Sequence, residues 1–258
     1  MNPVFSGKIY HLEVPFFESG SRATAHYETV EAGGGNEVNY SLYLPQGTYR
    51  HHPVANAVTE PACGTTTCDC LDNYAVRYVD GDTLDSFTYG IYHGALDVGI
   101  DGSDKNMHIP LRMTNSAVAL VLSPAVDSVE TYIVNTAAGF SFADSTYDFS
   151  TPTVVRTSRL LTDSLVASYG VCFPSRGEED AVQRAASDEE YWQMHVYVTR
   201  GGKTTRNVLS IREPLAAGEP KILKASISEN GEIIYEGTEV SVTVSLDWKP
   251  GGDHDIEI

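Results

Sequence analysis

The sequence predicts an all-β protein made of two antiparallel β-sandwich domains. Three observations carry that prediction. Short runs rich in Val, Ile, Tyr and Thr recur along the chain, many of them alternating apolar and polar residues. Gly, Asn, Asp or Pro separates neighbouring runs, as in "EAGGGN", "VDGDT", "IDGSDKN", "TRGGK" and "SENGE". At 258 residues the chain is also longer than one ordinary domain.

In chain order the expected strands are "KIYHLEVPFF", "NEVNYSLYL", "NYAVRYV", "HIPLRM", "AVALVL", "ETYIVN", "SLVASYGVCF", "WQMHVYVT", "TRNVLSI", "KILKASI", "EIIYEG" and "VSVTVSLDW". The last is the clearest: Val240, Val242, Val244 and Leu246 fall on one face and Ser241, Thr243, Ser245 and Asp247 on the other, as in a strand buried on one side. Before it, Asn230-Gly231 sits between two strand-like runs, a pair suited to a type I′ turn, so the closing residues are expected to form a β-meander. In "SFTYGIYHG", Phe87 and Tyr89 share a face with Ile91, which suits a sheet core better than a sugar-stacking platform. Helical signal is scarce. "RGEEDAVQRAASDEEYWQ" contains helix formers without a wide apolar stripe and is expected to be a surface insert.

A repeated unit bears on domain organisation. "SLYLPQGTYRHHPVANA" (residues 41–57) and "LSIREPLAAGEPKILKASI" (residues 209–227) both pass from a strand-like run through Pro and Gly into a second such run. A fresh apolar run opens at Ala117, after a turn-rich stretch ending near Asn106, which places the expected domains at residues 1–107 and 108–258. Each then holds one copy of the unit.

Charge narrows the function. Thirty-five acidic against 17 basic residues leave a net charge of -18, which repels phosphate backbones and argues against nucleic acid as a partner. No run approaches the ~20 apolar residues of a membrane-spanning helix. The N-terminus lacks the zones of a signal peptide, while abundant Tyr, Thr and Ser with few Lys suit an exported β-protein, so the export segment is expected to have been trimmed.

Candidate chemistry is thin. Cys63, Cys68 and Cys70 lie close together, with Cys172 far off. Their gaps of four and one residues do not match the two-residue spacing of structural zinc sites, despite His51 and His52 nearby; a disulfide within the cluster or free thiols remain open. "DGDTLD" and "DGSDKN" place carboxylates at alternate positions, yet Asp-Gly is also ordinary turn chemistry and no calcium loop is matched. His11, His26, His93, His108 and His195 sit in strand-like runs, where a satisfied or solvent-facing ring is the ordinary outcome. Without a nucleophile elbow, a His-Glu-x-x-His or a phosphate loop, the sequence predicts no enzyme, no metal and no cofactor.

The segments "LYLPQGTYRHHPVANA", "MHIPLRMTNSAVALVL", "LSIREPLAAGEPKILKASISENGEI" and "VSVTVSLDW", the last ending in Trp248, follow an order that resembles the fimbrillin superfamily of Bacteroidales, and within it the minor, anchor-type fimbrial subunits. That resemblance implies two tandem transthyretin-like Greek-key sandwiches, export to the outer membrane through a lipid anchor, and a role in assembling or anchoring fimbriae. It implies other fimbrial subunits as partners by strand addition, with host or bacterial surface ligands as further partners. Shaft-forming relatives are processed after an arginine in an N-terminal strand; here "SGSRATAHY" offers Arg22 in an expected exposed turn, while anchor-type members keep that strand. The alternative reading is a monomeric surface lipoprotein that binds carbohydrate or protein.

Overall fold

The computed structural model describes residues 9–31, 39–56, 63–65, 70–79, 81–126, 128–177 and 190–248. Among them the structure is all-β, with one 3-10 turn at Leu71–Asn73 and no α-helix. The strands of the first half are β1 (Ile9–Glu18), β2 (Ser21–Glu31), β3 (Gly47–His51), β4 (Val54–Ala55), β5 (Cys63–Thr65), β6 (Ala75–Tyr78), β7 (Leu84–Asp85), β8 (Tyr92–His93), β9 (Leu96–Ile100) and β10 (Arg112–Met113). β11 (Ser116–Ser123), β12 (Ser128–Val134), β13 (Gly139–Ser141), β14 (Thr146–Asp148), β15 (Val154–Arg156) and β16 (Ser158–Leu161) follow. The chain closes with β17 (Val166–Cys172), β18 (Trp192–Arg200), β19 (Lys203–Ile211), β20 (Pro220–Ile227), β21 (Ile233–Ile234) and β22 (Val240–Trp248).

These strands divide into two compact units that exchange segments. Unit 1 takes the described residues up to Val79, then Phe87–Asn115 and Gly139–Asp148; unit 2 takes the described residues of 81–86, of Ser116–Ala138 and from Phe149 onward. The changeover at Asn115 and Ser116 comes after the expected boundary at residue 107, because β10 pairs with β8 and keeps residues up to Asn115 in unit 1.

Unit 1 contains a seven-stranded sheet, in the order β10-β8-β4-β1-β3-β9 with β2 on β1, and a four-stranded sheet, β14-β13-β6-β5. β1 is central and buried on both faces. One face sends Leu12, Val14 and Phe16 into a cluster with Tyr49, Ala55 and Val98. On the opposite side Phe17 meets Tyr74, which stacks at a tilt on Phe142, and His93 packs against Phe140 and Phe142. Aromatic rings therefore form the layer between the two sheets.

Unit 2 contains a five-stranded sheet, β16-β17-β11-β20-β21, and a six-stranded sheet, β22-β19-β18-β12-β15-β7. The chain crosses from one to the other at Thr157, between β15 and β16, where its N–H and hydroxyl both donate to the Thr131 carbonyl at 3.0 and 2.9 Å. Thr131 in turn donates to the Ser168 hydroxyl across the layer, at 3.0 Å. Trp192, Val196, Ile133, Leu120 and Leu223 are almost fully buried.

Several sequence expectations change here. The run 39–46 forms no strand, and of "HIPLRM" only Arg112–Met113 pairs. "SFTYGIYHG" is mostly a loop: the Ile91 N–H and the Tyr89 carbonyl both bond Asn115, and Asn56 holds the Gly90 carbonyl. Phe87 and Ile91 are core, as the alternation suggested, and Tyr89 is half exposed. Antiparallel pairing predominates, yet β11 pairs with β20 in parallel, as does β15 with β7.

The closing residues are not a meander. β20 and β21 form a hairpin, but β22 leaves them and pairs with β19 in the six-stranded sheet. The turn also differs from type I′, because Gly231 alone has a positive φ, of 83°, and its N–H bonds the Ser228 carbonyl at 3.1 Å. Asn207 on β19 decides the arrangement: its amide donates to the Gly231 carbonyl at 3.0 Å and accepts from the Ile233 N–H at 2.8 Å.

Candidate functional site

β2 is the longest strand at a sheet edge. Its hairpin with β1 turns through Ser19 and Gly20, whose φ values of 50° and 83° are those a two-residue I′ turn needs. The direction of the backbone groups follows from β1. The His11 carbonyl accepts from the Asn56 N–H (2.8 Å) and the Pro15 carbonyl from the His52 N–H (3.3 Å), so both point away from β2. In an antiparallel ladder, facing residues point their groups the same way relative to the pair. Thr29, Tyr27 and Ala25, opposite His11, Glu13 and Pro15, therefore aim N–H and C=O outward from the sheet. Among the described residues the outer side of β2 meets only an isolated bridge between Ser21 and Cys70. β22 is likewise terminal and pairs with β19 alone among the described residues.

Arg22 anchors this edge. It lies in β2, and its side chain is only 12% exposed against a Glu13 that is 2% exposed, so it is not the exposed turn arginine expected from sequence. Its Nη1 sits 2.8 Å from Glu13 Oε1 and donates to the Tyr27 hydroxyl at 2.9 Å. Tyr27 and Tyr74 donate to the two Glu13 oxygens at 3.2 and 3.1 Å, and the guanidinium carbon lies 5.7 Å from the ring centres of both Phe17 and Tyr74. Burial first, then the neighbouring carboxylate, pushes the Tyr74 phenol far up, so it stays a donor. Sequence reasoning passed over Glu13; its one available signal was a carboxylate inside the apolar run "HLEVPFF".

The histidines serve packing. His51 stacks on Phe16 at 3.9 Å, its Nδ1 lies 2.8 Å from the Pro15 carbonyl, and its Nε2 lies 3.0 Å from the Tyr40 hydroxyl. His52 Nδ1 and His93 Nε2 are 3.3 Å apart in near-parallel rings, and burial lowers both imidazoles to about 4. Such a nitrogen-to-nitrogen bond needs one N–H and one bare lone pair, so the accepting ring is neutral, and burial favours the neutral form of the other. In unit 2, His195 is buried and likewise lowered to about 4 by burial.

Cys70 is half-buried and Cys172 fully buried, both as free thiols. Cys63 lies in β5, and Cys68 falls outside the described residues. Burial pushes the Cys172 thiol up to about 12, which removes it as a nucleophile. Asp101 accepts hydrogen bonds from Lys105 Nζ (2.8 Å) and the Ser103 hydroxyl (2.6 Å), which hold its carboxyl well below the usual range in a self-contained turn. Among the described residues no group of three metal-ligating side chains comes together.

No known protein family's profile matches the sequence, and no curated protein sequence matches it. Solved structures do. A candidate polysaccharide-binding protein from Bacteroides thetaiotaomicron superposes with a TM-score of 0.57 at 13% identity, over 92% of this chain and 91% of the other. A candidate adhesin from Bacteroides ovatus gives 0.57 at 13% identity, over 96% and 91%. The fimbrial anchor protein Mfa2 from Porphyromonas gingivalis gives 0.54 at 12% identity, over 94% and 92%. The chain has the fold of these proteins. At such identities the likeness shows the fold alone, over nearly the whole of each chain.

Proposed function

We propose that this chain is a structural subunit of a cell-surface fimbrium, of the anchor or accessory kind, joined to neighbouring subunits by strand addition. The observation that carries the reading is the outer edge of β2. It offers outward N–H and C=O groups on Ala25, Tyr27 and Thr29, and the Glu13–Arg22 pair braces it from behind. An added strand would satisfy those groups, and alternate side chains would supply specificity. Tyr27, 60% exposed, stands beside that edge as a first contact. The fold shared with Mfa2 over more than nine-tenths of both chains supports an anchoring role. In this reading the chain is exported to the outer membrane and held there by a lipid anchor, its two units act as tandem transthyretin-like domains, and the strand bearing Arg22 is retained rather than cleaved, since its side chain is buried in an ion pair.

Deleting the encoding region and measuring fimbrial length and retention on cells tests the role. Shortened or shed fimbriae are expected. The second reading, a monomeric surface lipoprotein that binds carbohydrate, draws on the likeness to the candidate polysaccharide-binding protein. Unchanged fimbriae together with glycan binding by the purified chain would favour it.

A further inference from the structure

The five-stranded sheet of unit 2 differs in charge from the rest of the chain. Its strands β16, β17, β11, β20 and β21 contain Arg159, Lys221 and Lys224 and not one Asp or Glu, in a chain with 35 acidic residues against 17 basic. The register shows how its outer face is built. One row runs Ser158, Tyr169, Ala119, Ile222; the next, on the same face, runs Leu160, Ala167, Val121, Lys224. Ile234, opposite Ser226, extends the face onto β21. Leu160 is 57% exposed and Ile222 56%, and among the described residues every large hydrophobic that unit 2 exposes lies on this sheet.

An apolar sheet face left in water marks a contact surface. Its charge indicates what it contacts. Copies carrying a net charge of -18 repel one another, except where a carboxylate-free, lysine-bearing face of one meets carboxylates of the next. Packing of this face on itself would bury Lys224 with no carboxylate opposite, since the strands of the sheet contain none, so a head-to-tail contact is the favoured geometry. Lys224 has no ion-pair partner among the described residues, whereas Lys221 is paired with Glu213.

We propose that the outer face of the five-stranded sheet docks a second copy of this chain, head to tail, against a carboxylate-bearing surface of that copy. The inference stands on the charge and exposure of this sheet and does not depend on a fimbrial role. Analytical ultracentrifugation of the full chain, from about 10 µM to about 1 mM in ~50 and ~500 mM NaCl, tests it. Self-association that weakens by about tenfold at the higher salt is expected. Lys224→Glu should weaken it by a similar factor and remove most of the salt dependence, and Ile222→Asp should abolish it. Carbodiimide cross-linking of mixed isotopically light and heavy copies should join Lys224 to carboxylates of the other copy. A chain monomeric throughout, association that strengthens with salt, a Lys224→Glu variant that associates like the parent, or cross-links confined to one chain would each overturn the proposal. Should Ile222→Asp fail to fold, Lys224→Glu, at an exposed position, still decides it.

Discussion

Among the described residues unit 1 buries a carboxylate, Glu13, and three imidazoles, His51, His52 and His93, whereas unit 2 buries one imidazole, His195, and otherwise hydroxyls and the Asn207 amide. Both solutions satisfy buried polar atoms, but they respond differently to solution conditions. The bonds between Thr131 and Ser168, and from Asn207 to Gly231 and Ile233, involve no titrating group. The bond of the His52–His93 pair is lost once both rings are protonated. Unit 1 is therefore the acid-sensitive half, and it also carries the edge strand proposed to receive a neighbour.

The largest effect of a single substitution should come from Glu13→Ala, which leaves the Arg22 cation buried without its partner and is expected to cost unit 1 about 3–5 kcal/mol. Hydrogen exchange by mass spectrometry, resolved by segment, should show β1 and β2 losing protection while β18 and β19 keep theirs. Limited trypsin digestion should open the bond after Arg22 in this variant well before it does in the parent. Unaltered protection in β1 would mean that the ion pair does not brace the edge.

Acid should separate the units next. The unfolded chain takes up protons on His52 and His93 from about pH 6.5, whereas the folded rings accept them only near 4. The unfolded state thus binds more protons between these values, so stability is complete above pH 6.5 and falls as pH drops toward 4, by on the order of 3 kcal/mol per imidazole. Among the described residues unit 2 carries the same liability at His195 alone. Both tryptophans lie in unit 2, so urea unfolding followed by Trp fluorescence should shift less with acid than unfolding followed by exchange in unit 1. Equal shifts would remove the contrast.

Asn207→Ala probes the neutral design. It leaves the Ile233 N–H and the Gly231 carbonyl unpaired and should cost unit 2 about 2 kcal/mol, with no change in its pH profile. The smallest effect, about 1 kcal/mol, is expected from Tyr49→Phe, which deletes the 3.0 Å bond from the tyrosine hydroxyl to the Pro45 carbonyl. Calorimetry resolves both.

The all-β class was legible because alternation within a strand and Gly or Asn at turns are local properties; "AVALVL" and "TRNVLSI" fall within β11 and β19. The edge of the candidate site was not. β2, "SRATAHYETVE", has too few apolar residues to stand out, and it is a strand because β1 pairs with it along its whole length. The repeated Pro and Gly unit makes the same point. After Pro45 the chain enters β3 at Gly47, antiparallel to β1 and β9; after Pro214 and Gly218 it enters β20, parallel to β11.

By itself the sequence determined the protein's class, the positions of most strands and the acidity of the surface, since each depends on residues close together in the chain or on a simple sum of charges. Tertiary structure alone decided which strands became neighbours, which edges lie unpaired among the described residues, and that Glu13 and Arg22 meet in the interior instead of facing water. The physical reason is that pairing and burial are settled between segments far apart in sequence, through contacts that no local pattern encodes.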